Sequence, residues 1–192
     1  MTLAAVVLAA GAGSRFAGSA AKLLADFRGR PLLVWAVAAA VEAGLDETIV
    51  VTGAVDLDHA LADAGLLSRV TVLTNPDWAA GQATSLALAV DAARAAGHEA
   101  VVVGLGDQPL IPAEAWRRVA AGSPDHPIVV ATYGGKRRNP VRLDHGIWDE
   151  LPRTGDAGGR VLMAGRPELI GEVACPGEPV DVDTMEDLAR WS

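Results

Sequence analysis

The sequence predicts an α/β fold in which helices cover both faces of a mostly parallel sheet. Three observations carry that expectation. Short apolar runs rich in valine and isoleucine recur along the chain, and they are apolar throughout rather than alternating, as strands buried on both faces are. The segments between them carry helix signals, with proline near the start and glycine just past the end. The first apolar run passes directly into a glycine-rich turn, a junction where sheets of this class hold ligands beyond the carboxyl ends of their strands. With 192 residues, 51% of them hydrophobic, residues 1–192 are expected to form one domain with a substantial core.

Taken in order, Leu3 to Leu8 reads as the first strand, and residues 9 to 22 as the glycine loop. Leu23 to Phe27 is a short apolar segment, and Arg28-Gly29-Arg30 a turn. Pro31 suits the first position of a helix that runs to Ala43 and stops at Gly44. Thr48 to Thr52 is β-branched and reads as the second strand. Asp56 can cap a helix reaching Ala64. Val70 to Thr74 is the third strand, and Asn75-Pro76-Asp77 a turn. Residues 81–85 lead into a helix ending near Gly97. Ala100 to Leu105 is the fourth strand and delivers Gly106-Asp107-Gln108-Pro109 at its carboxyl end. Pro112 opens another helix. Pro127 to Thr132 is the fifth strand, and Tyr133 to Pro140 reads as a polar loop. Val141 to Leu143 follows as a returning strand, then a short helix over 145–151. Thr154 to Arg160 is a second glycine loop before a helix at 161–164. Leu169 to Ala174 is a further strand, and residues 180–184 precede a final helix ending near Trp191.

Composition excludes several classes of function. A net charge of −8 disfavours nucleic-acid binding. The longest apolar run, Pro31 to Val41, is too short to span a bilayer, so no membrane partner is expected. No basic segment precedes the first apolar run, which argues against a signal peptide. Cys175 is the only cysteine, so an internal disulfide is impossible and a cytoplasmic location is expected. His59, His98, His126 and His145 share no motif with each other or with Cys175, so a zinc site is not expected.

The chemistry concentrates at the strand ends. Gly11 and Gly13 remove side chains where the backbone must bend close to a ligand. Ala9, Ala10 and Ala12 keep the loop small, and Arg15 and Lys22 add two cations. Bare N–H groups with two cations describe a cradle for a polyphosphate. The P-loop pattern is excluded, because Lys22 follows Ala21 and Leu23 stands where a hydroxyl is needed. The dinucleotide fingerprint is also incomplete, with Phe16 at its third position.

Asp107 emerges from an apolar strand opposite this cradle. An aspartate beside polyphosphate makes sense with a Mg²⁺ between them; its alternative is a turn or cap. Asp181 and Asp183 alternate, so in extended chain they share a face, and Asp183 is the stronger candidate as a metal ligand. Thr184 with Glu186 and Asp187 also reads as a helix start. Gln82, Thr84 and Ser85 can read a base or ribose, or make turn hydrogen bonds. The run Lys136-Arg137-Arg138 is either a solvated loop or a contact to a second anionic substrate. Of the five tryptophans, at 35, 78, 116, 148 and 191, only Trp78 lies near the Gly81 turn.

Six motifs in register now carry a resemblance. LAAGAGSRFAGSAAKLL is similar to the LAAGxGxRMG…K signature of sugar- and cofactor-nucleotidyltransferases. NPDWAAGQATSLALAV, GLGDQPL, KRRNPV, TGDAGGR and VDVDTMEDL continue it along nearly the whole chain. Together they resemble the MobA-like transferase family, and within it the molybdenum cofactor cytidylyltransferases. The resemblance implies a Rossmann-like three-layer sandwich of the nucleotide-diphospho-sugar transferase type. It also implies CTP as the nucleotide, Mg²⁺ as the cofactor, a phosphate-bearing molybdopterin precursor as the acceptor and a recipient enzyme for the product.

By matching positions, Arg15 and Lys22 hold the triphosphate, and Asp107 and Asp183 the metal; Arg15, Lys22 and Asp107 are the expected catalytic residues. Leu8, Ala9, Ala10, Gly11, Ala12, Gly13 and Ser14, with Gln82 and Ser85, form the expected nucleotide site. Asn139, Pro140, Gly158 and Arg160 form the expected acceptor site. The chain departs from the family pattern at Phe16, Arg138, Gly159 and Met185, and the last three lie on the acceptor side, so a changed acceptor is the simplest consequence. An NAD(P)-dependent oxidoreductase on a similar sheet and a non-catalytic cofactor carrier are the rival readings.

Overall fold

A computed structural model of the protein describes residues 1–13, 16, 21–156 and 158–192. Strand β1 (Leu3–Leu8) is flanked by β4 (Glu47–Thr52) and β6 (Ala100–Leu105), both parallel to it. Between β1 and β4 the chain makes a two-stranded hairpin, β2 (Asp26–Phe27) and β3 (Arg30–Pro31). Its turn needs positive φ at both central positions, which Arg28 (52°) and Gly29 (80°) supply. Adding β5 (Thr71–Thr74), β7 (Ile128–Tyr133), β8 (Lys136–Asp144) and β9 (Ile170–Ala174) gives a seven-stranded sheet in the order β5-β4-β1-β6-β8-β7-β9. Only β8 runs antiparallel to its neighbours, so the sheet is mostly parallel as expected.

The period-two pleat of β1 divides the core between two faces. Ala5 and Val7 pack with α1 (Leu32–Ala43) and α4 (Ala113–Ala120), while α2 (Asp58–Asp63) adds Leu61 to the same cluster. Ala4, Val6 and Leu8 pack on the other face with α3 (Gln82–Ala95). The result is the three-layer sandwich that the apolar strand pattern predicts. A third cluster joins Phe16, Phe27, Val182 and Leu188, so the glycine loop and the C-terminal helix α6 (Met185–Trp191) meet over one end of the sheet. No helix among the described residues is long and apolar enough to cross a membrane.

The helix boundaries follow local chemistry. Gly44 ends α1 in the left-handed conformation, at φ 72°. Pro31 precedes α1 rather than occupying its first turn. Asp56 accepts a hydrogen bond from the Asp58 N–H instead of capping α2 directly. Thr184 caps α6 in a reciprocal box with Asp187.

One expectation is corrected. Tyr133 to Pro140 is not a polar loop: Lys136, Arg137 and Arg138 begin β8 and pair with Tyr133, Thr132 and Ala131 of β7. Gly134 and Gly135, at φ 56° and 77°, close a two-residue hairpin that leaves no room for a loop. Charged residues on this outer stretch mask the strand in the sequence. Further along β8, Arg142 is buried. It donates to the carbonyls of Ala120, Gly122, Ser123 and His126 and to the Asp144 carboxylate, fixing the connection between α4 and β7.

Candidate active site

The carboxyl ends of β1 and β6 build the site. The chain leaves β1 under tight backbone control: Ala9 donates to the Val51 carbonyl at 2.8 Å, and Gly106 donates to the Leu8 carbonyl at 2.9 Å. Gly11 and Ala12 are exposed at the loop crest. Gly13 holds φ 63°, and a Cβ there would stand 2.7 Å from the Lys22 Cβ, so both its conformation and its bareness are required. Ser14 and Arg15 lie outside the described residues. Phe16, which breaks the dinucleotide fingerprint, donates its N–H to the Gly13 carbonyl and is buried in the third cluster.

Lys22 is the centre of this arrangement. Although a lysine, it is only 8% exposed. Its Nζ donates to Asp107 Oδ2 at 2.7 Å and to Asp183 Oδ1 at 2.6 Å. Burial alone would push the ammonium below its ordinary value, but the adjoining Asp107 and Asp183 carboxylates outweigh it and raise it instead. The sequence set Lys22 on the triphosphate and the two aspartates on the metal; the structure joins all three in one ion cluster.

Asp107 is aimed by β6 and by a hydrogen bond from the Val182 N–H to its backbone carbonyl, which also pins the 180–184 segment across the strand ends. Val182 points into the core, so Asp181 and Asp183 both face the crevice. They part there. Asp183 meets Lys22, whereas Asp181 accepts from Gln108 Nε2 at 2.8 Å. Burial, and then the charge of Asp107, holds the Asp181 carboxyl above its ordinary value, against the hydrogen bond from Gln108.

These residues fit a divalent cation of the hard, oxygen-seeking kind. Asp107 Oδ1 is buried with no hydrogen-bond partner among the described residues, an acceptor poised for a cation. No group of three histidine, cysteine or acidic side chains forms a closed metal cage among the described residues. Two carboxylates completed by substrate phosphates is the habit of Mg²⁺-type sites.

Two clefts open near the cluster, one lined by Asp107 and the other by Gln108 and Asp181. The first, of about 360 Å³, is lined by Leu8, Ala10, Gly11, Trp78, Gln82 and Asp107 among others. The second, of about 540 Å³, is lined by Arg138, Asn139, Arg160, Gln108 and Asp181, with Val141 and Met163 as apolar walls. A narrower space shares Leu8 and Gln82 with the first cleft and Asn139 and Arg160 with the second, and is bounded also by Gly158. Both clefts have the size of small-ligand sites.

The sequence-derived site residues separate accordingly. Leu8, Ala10, Gly11, Gln82 and Ser85 line the first cleft; Ala9 is buried in the core, and neither Ala12 nor Gly13 lines a cleft. Ser85 and Thr84 accept hydrogen bonds from Asn75 Nδ2 at 2.9 and 2.8 Å, and Thr84 also donates to the Gly81 carbonyl. Those hydroxyls therefore hold the start of α3 in place. Asn139 and Arg160 line the second cleft, and all of Asn139, Gly158 and Arg160 line the narrower space beside it. Pro140, after a cis bond to Asn139, faces Trp116 on the far side. Arg137 is paired with Glu172, and Lys136 lies exposed beyond the clefts.

Sequence reasoning missed three features. Asn75 is buried and organises the turn before α3; the only sign of it was an Asn-Pro-Asp turn. Gln108 orients Asp181, a pairing across 73 positions. The two glycine loops touch: Gly155 donates to Ala80 and accepts from Ala83, and a Cβ on Gly81 would enter the Gly155 backbone. One wall of the first cleft and the loop leading to the second are thus a single unit.

Residues 5–171 match the model of the MobA-like NTP transferase domain. The chain belongs to that family. A similar curated protein is the nicotine blue oxidoreductase of Paenarthrobacter nicotinovorans, 31% identical, with 96% of this chain and 94% of that protein covered. Among solved structures, a nucleotidyl transferase from Methanothermobacter superimposes with a TM-score of 0.83 at 26% identity, covering 98% of this chain and 95% of the other. The manganese complex of Rv0371c from Mycobacterium tuberculosis gives 0.81 at 26% identity, covering 100% and 98%. The fold is therefore that of the nucleotide-diphospho-sugar transferases, and the chain is a nucleotidyltransferase of the MobA-like type.

Proposed function

We propose that the protein transfers CMP from CTP to a small phosphate-bearing acceptor, with Mg²⁺ as cofactor and pyrophosphate as leaving group. The observation that carries this reading is the Lys22–Asp107–Asp183 cluster, with Asp107 lining the first cleft and Asp107's neighbour Gln108 lining the second. The first cleft takes the nucleotide, with the loop after β1 along its triphosphate and Trp78 and Gln82 toward the base. The second takes the acceptor, with Arg138, Arg160 and the Asn139 amide toward its phosphate.

In the reaction an acceptor phosphate oxygen bonds to the α-phosphorus of CTP while the bond from that phosphorus to the bridging oxygen breaks. The acceptor is already ionised near neutral pH, so no protein base is required. The chain's task is in-line positioning and charge compensation. Lys22 neutralises charge on the phosphates, and Asp107 and Asp183 hold Mg²⁺. The cation, when bound, neutralises charge on the reacting phosphates. The family resemblance supports a molybdopterin-type acceptor passed on to a recipient enzyme, in a cytoplasmic setting.

CTP is favoured over GTP by Ala10. In guanylyl-transferring relatives the corresponding loop begins LAGG, whereas here a methyl group lines the first cleft and narrows it. One methyl is worth about 1–3 kcal/mol, so discrimination will be incomplete. Calorimetric titration of CTP, GTP, ATP and UTP with Mg²⁺ tests this, and a clear preference for GTP overturns it.

A second reading is favoured by one observation, the near full-length similarity to nicotine blue oxidoreductase. It predicts consumption of NADH or NADPH, visible as loss of nicotinamide absorbance when an oxidised acceptor is added. Absence of that signal alongside pyrophosphate release decides for the transferase.

A further inference from the structure

Among the described residues, two charged side chains line the first cleft, Asp107 and Asp156, and both are carboxylates. They are not equivalent. Asp107 is met by Lys22 Nζ at 2.7 Å, whereas Asp156 makes no hydrogen bond or ion pair among the described residues. Asp156 belongs to the second glycine loop, whose Gly158 and Arg160 the sequence assigns to the acceptor. Its neighbour Gly155 turns this part of the loop elsewhere. The Gly155 N–H donates to the Ala80 carbonyl at 2.9 Å, and the Gly155 carbonyl accepts from the Ala83 N–H at 2.9 Å. Gly81 has no side chain to keep the two backbones apart. The loop is thereby clamped to the start of α3, and the residue after the clamp lines the first cleft.

Gln82, the first residue of α3, lines the same cleft, and its side-chain amide makes no hydrogen bond among the described residues. The cleft thus offers a carboxylate and an amide with open hydrogen-bonding capacity. A carboxylate with no cation beside it is a poor neighbour for phosphates, because like charges in contact repel. It suits the uncharged end of a nucleotide, which carries donors: the ribose hydroxyls and the exocyclic amine of the base. Carboxylates take both kinds, the ribose hydroxyl in dinucleotide sites and the cytosine amine in base readout.

We propose that Asp156 is a nucleotide-selecting residue, whose carboxylate accepts hydrogen bonds from nucleoside donors in the first cleft together with Gln82. The inference rests on the nucleotide reading of that cleft. It divides the second glycine loop between the two clefts, with Asp156 lining the first and Arg160 the second.

The test titrates three nucleotides by calorimetry, with Mg²⁺ and without acceptor. They are CTP, 2′,3′-dideoxy-CTP, which lacks the ribose hydroxyls, and UTP, which lacks the exocyclic amine. Each is added to the wild type, Asp156→Asn and Asp156→Ala. Asp156→Ala should weaken CTP binding about 10- to 100-fold, the range for hydrogen bonds to a charged group. Asp156→Asn should lose less, since its amide oxygen still accepts. A smaller loss with one analogue than with CTP identifies the donor that the analogue lacks: the ribose hydroxyls for dideoxy-CTP, the base amine for UTP. Mn²⁺ titrated alone should bind within about twofold of wild type. Circular dichroism establishes that each variant is folded. CTP affinity that is unchanged or higher in Asp156→Ala overturns the proposal, because the carboxylate then faces only solvent or phosphates. An equal loss with all three nucleotides also overturns it, as does a loss of Mn²⁺ affinity, which would make Asp156 a metal ligand. Absence of binding of any of the three by the wild type defeats the nucleotide reading itself, and the proposal with it. Wild-type binding that the substitutions leave untouched defeats the proposal alone.

Discussion

Replacing Lys22 with methionine removes the ammonium while keeping an unbranched side chain of similar bulk. The Lys22 side chain is 9% exposed, that of Asp107 23% and that of Asp183 38%. Breaking a fully buried pair costs roughly 3–5 kcal/mol, whereas exposed pairs are worth about 0–1 kcal/mol. This cluster lies between those limits, so a loss of about 2 kcal/mol is expected. For a chain of this length that is a fall in Tm of roughly 4–8 °C, measured by circular dichroism in EDTA.

Removing the ammonium also takes one positive charge from beside Asp107 and Asp183, so Mn²⁺ alone should raise the Tm of Lys22→Met more than that of wild type. Turnover should fall by about 2–4 kcal/mol in barrier terms, as for loss of a preorganised donor. The pH dependence has a definite sign. The folded-state pKa of Lys22 lies above its ordinary value of 10.5, so its contribution is complete below that pH. The Tm difference between wild type and variant should persist from pH 7 to 10 and close only as pH rises through the folded-state value. An unchanged Tm in EDTA together with an equal response to Mn²⁺ would refute the cluster.

Three further outcomes are expected. Asp107→Asn and Asp183→Asn should each stay folded by circular dichroism and lose metal-dependent turnover; near-wild-type turnover at limiting Mg²⁺ would remove that residue from the metal site. Arg160→Ala should raise the acceptor KM while leaving CTP affinity nearly intact, and the reverse pattern in a steady-state titration would put the second glycine loop on the nucleotide side. Glu47 accepts from Thr71 Oγ1 at 2.6 Å and lies 2.8 Å from His98 Nε2. These contacts, led by the Thr71 hydroxyl, hold its pKa below the ordinary 4.5 against burial. Glu47→Gln should therefore cost about 1 kcal/mol at neutral pH, and urea titrations should show that difference shrinking as pH falls below 4.5.

Most of the fold was legible because it rests on local signals. The apolar run Val101-Val102-Val103 can only be buried on both faces, and Gly44 and Gly97 each stop a helix where a left-handed residue is needed. The strand at Lys136–Arg138 was hidden because an edge of charge says nothing about pairing, and the two-glycine turn was read as part of a loop. The site was legible as a set of residue types. Lys22, Asp107 and Asp183 stand out as charges beside apolar or glycine-rich stretches. That Lys22 bridges the two aspartates depends on contacts across 85 and 161 positions, which no spacing rule encodes. The Gln108–Asp181 pair and the seat of Gly155 against Gly81 were invisible for the same reason.

In the proposed reaction the crevice over β1 and β6 moves a nucleotidyl group from CTP to an acceptor phosphate. Pyrophosphate release measures this most directly, with wild-type protein, Mg²⁺, a molybdopterin-type acceptor and each of the four nucleoside triphosphates in turn. The expected result is acceptor-dependent release that is fastest with CTP and abolished by EDTA. Release that is independent of the acceptor, or none with any nucleotide while NADH or NADPH is consumed, would contradict it.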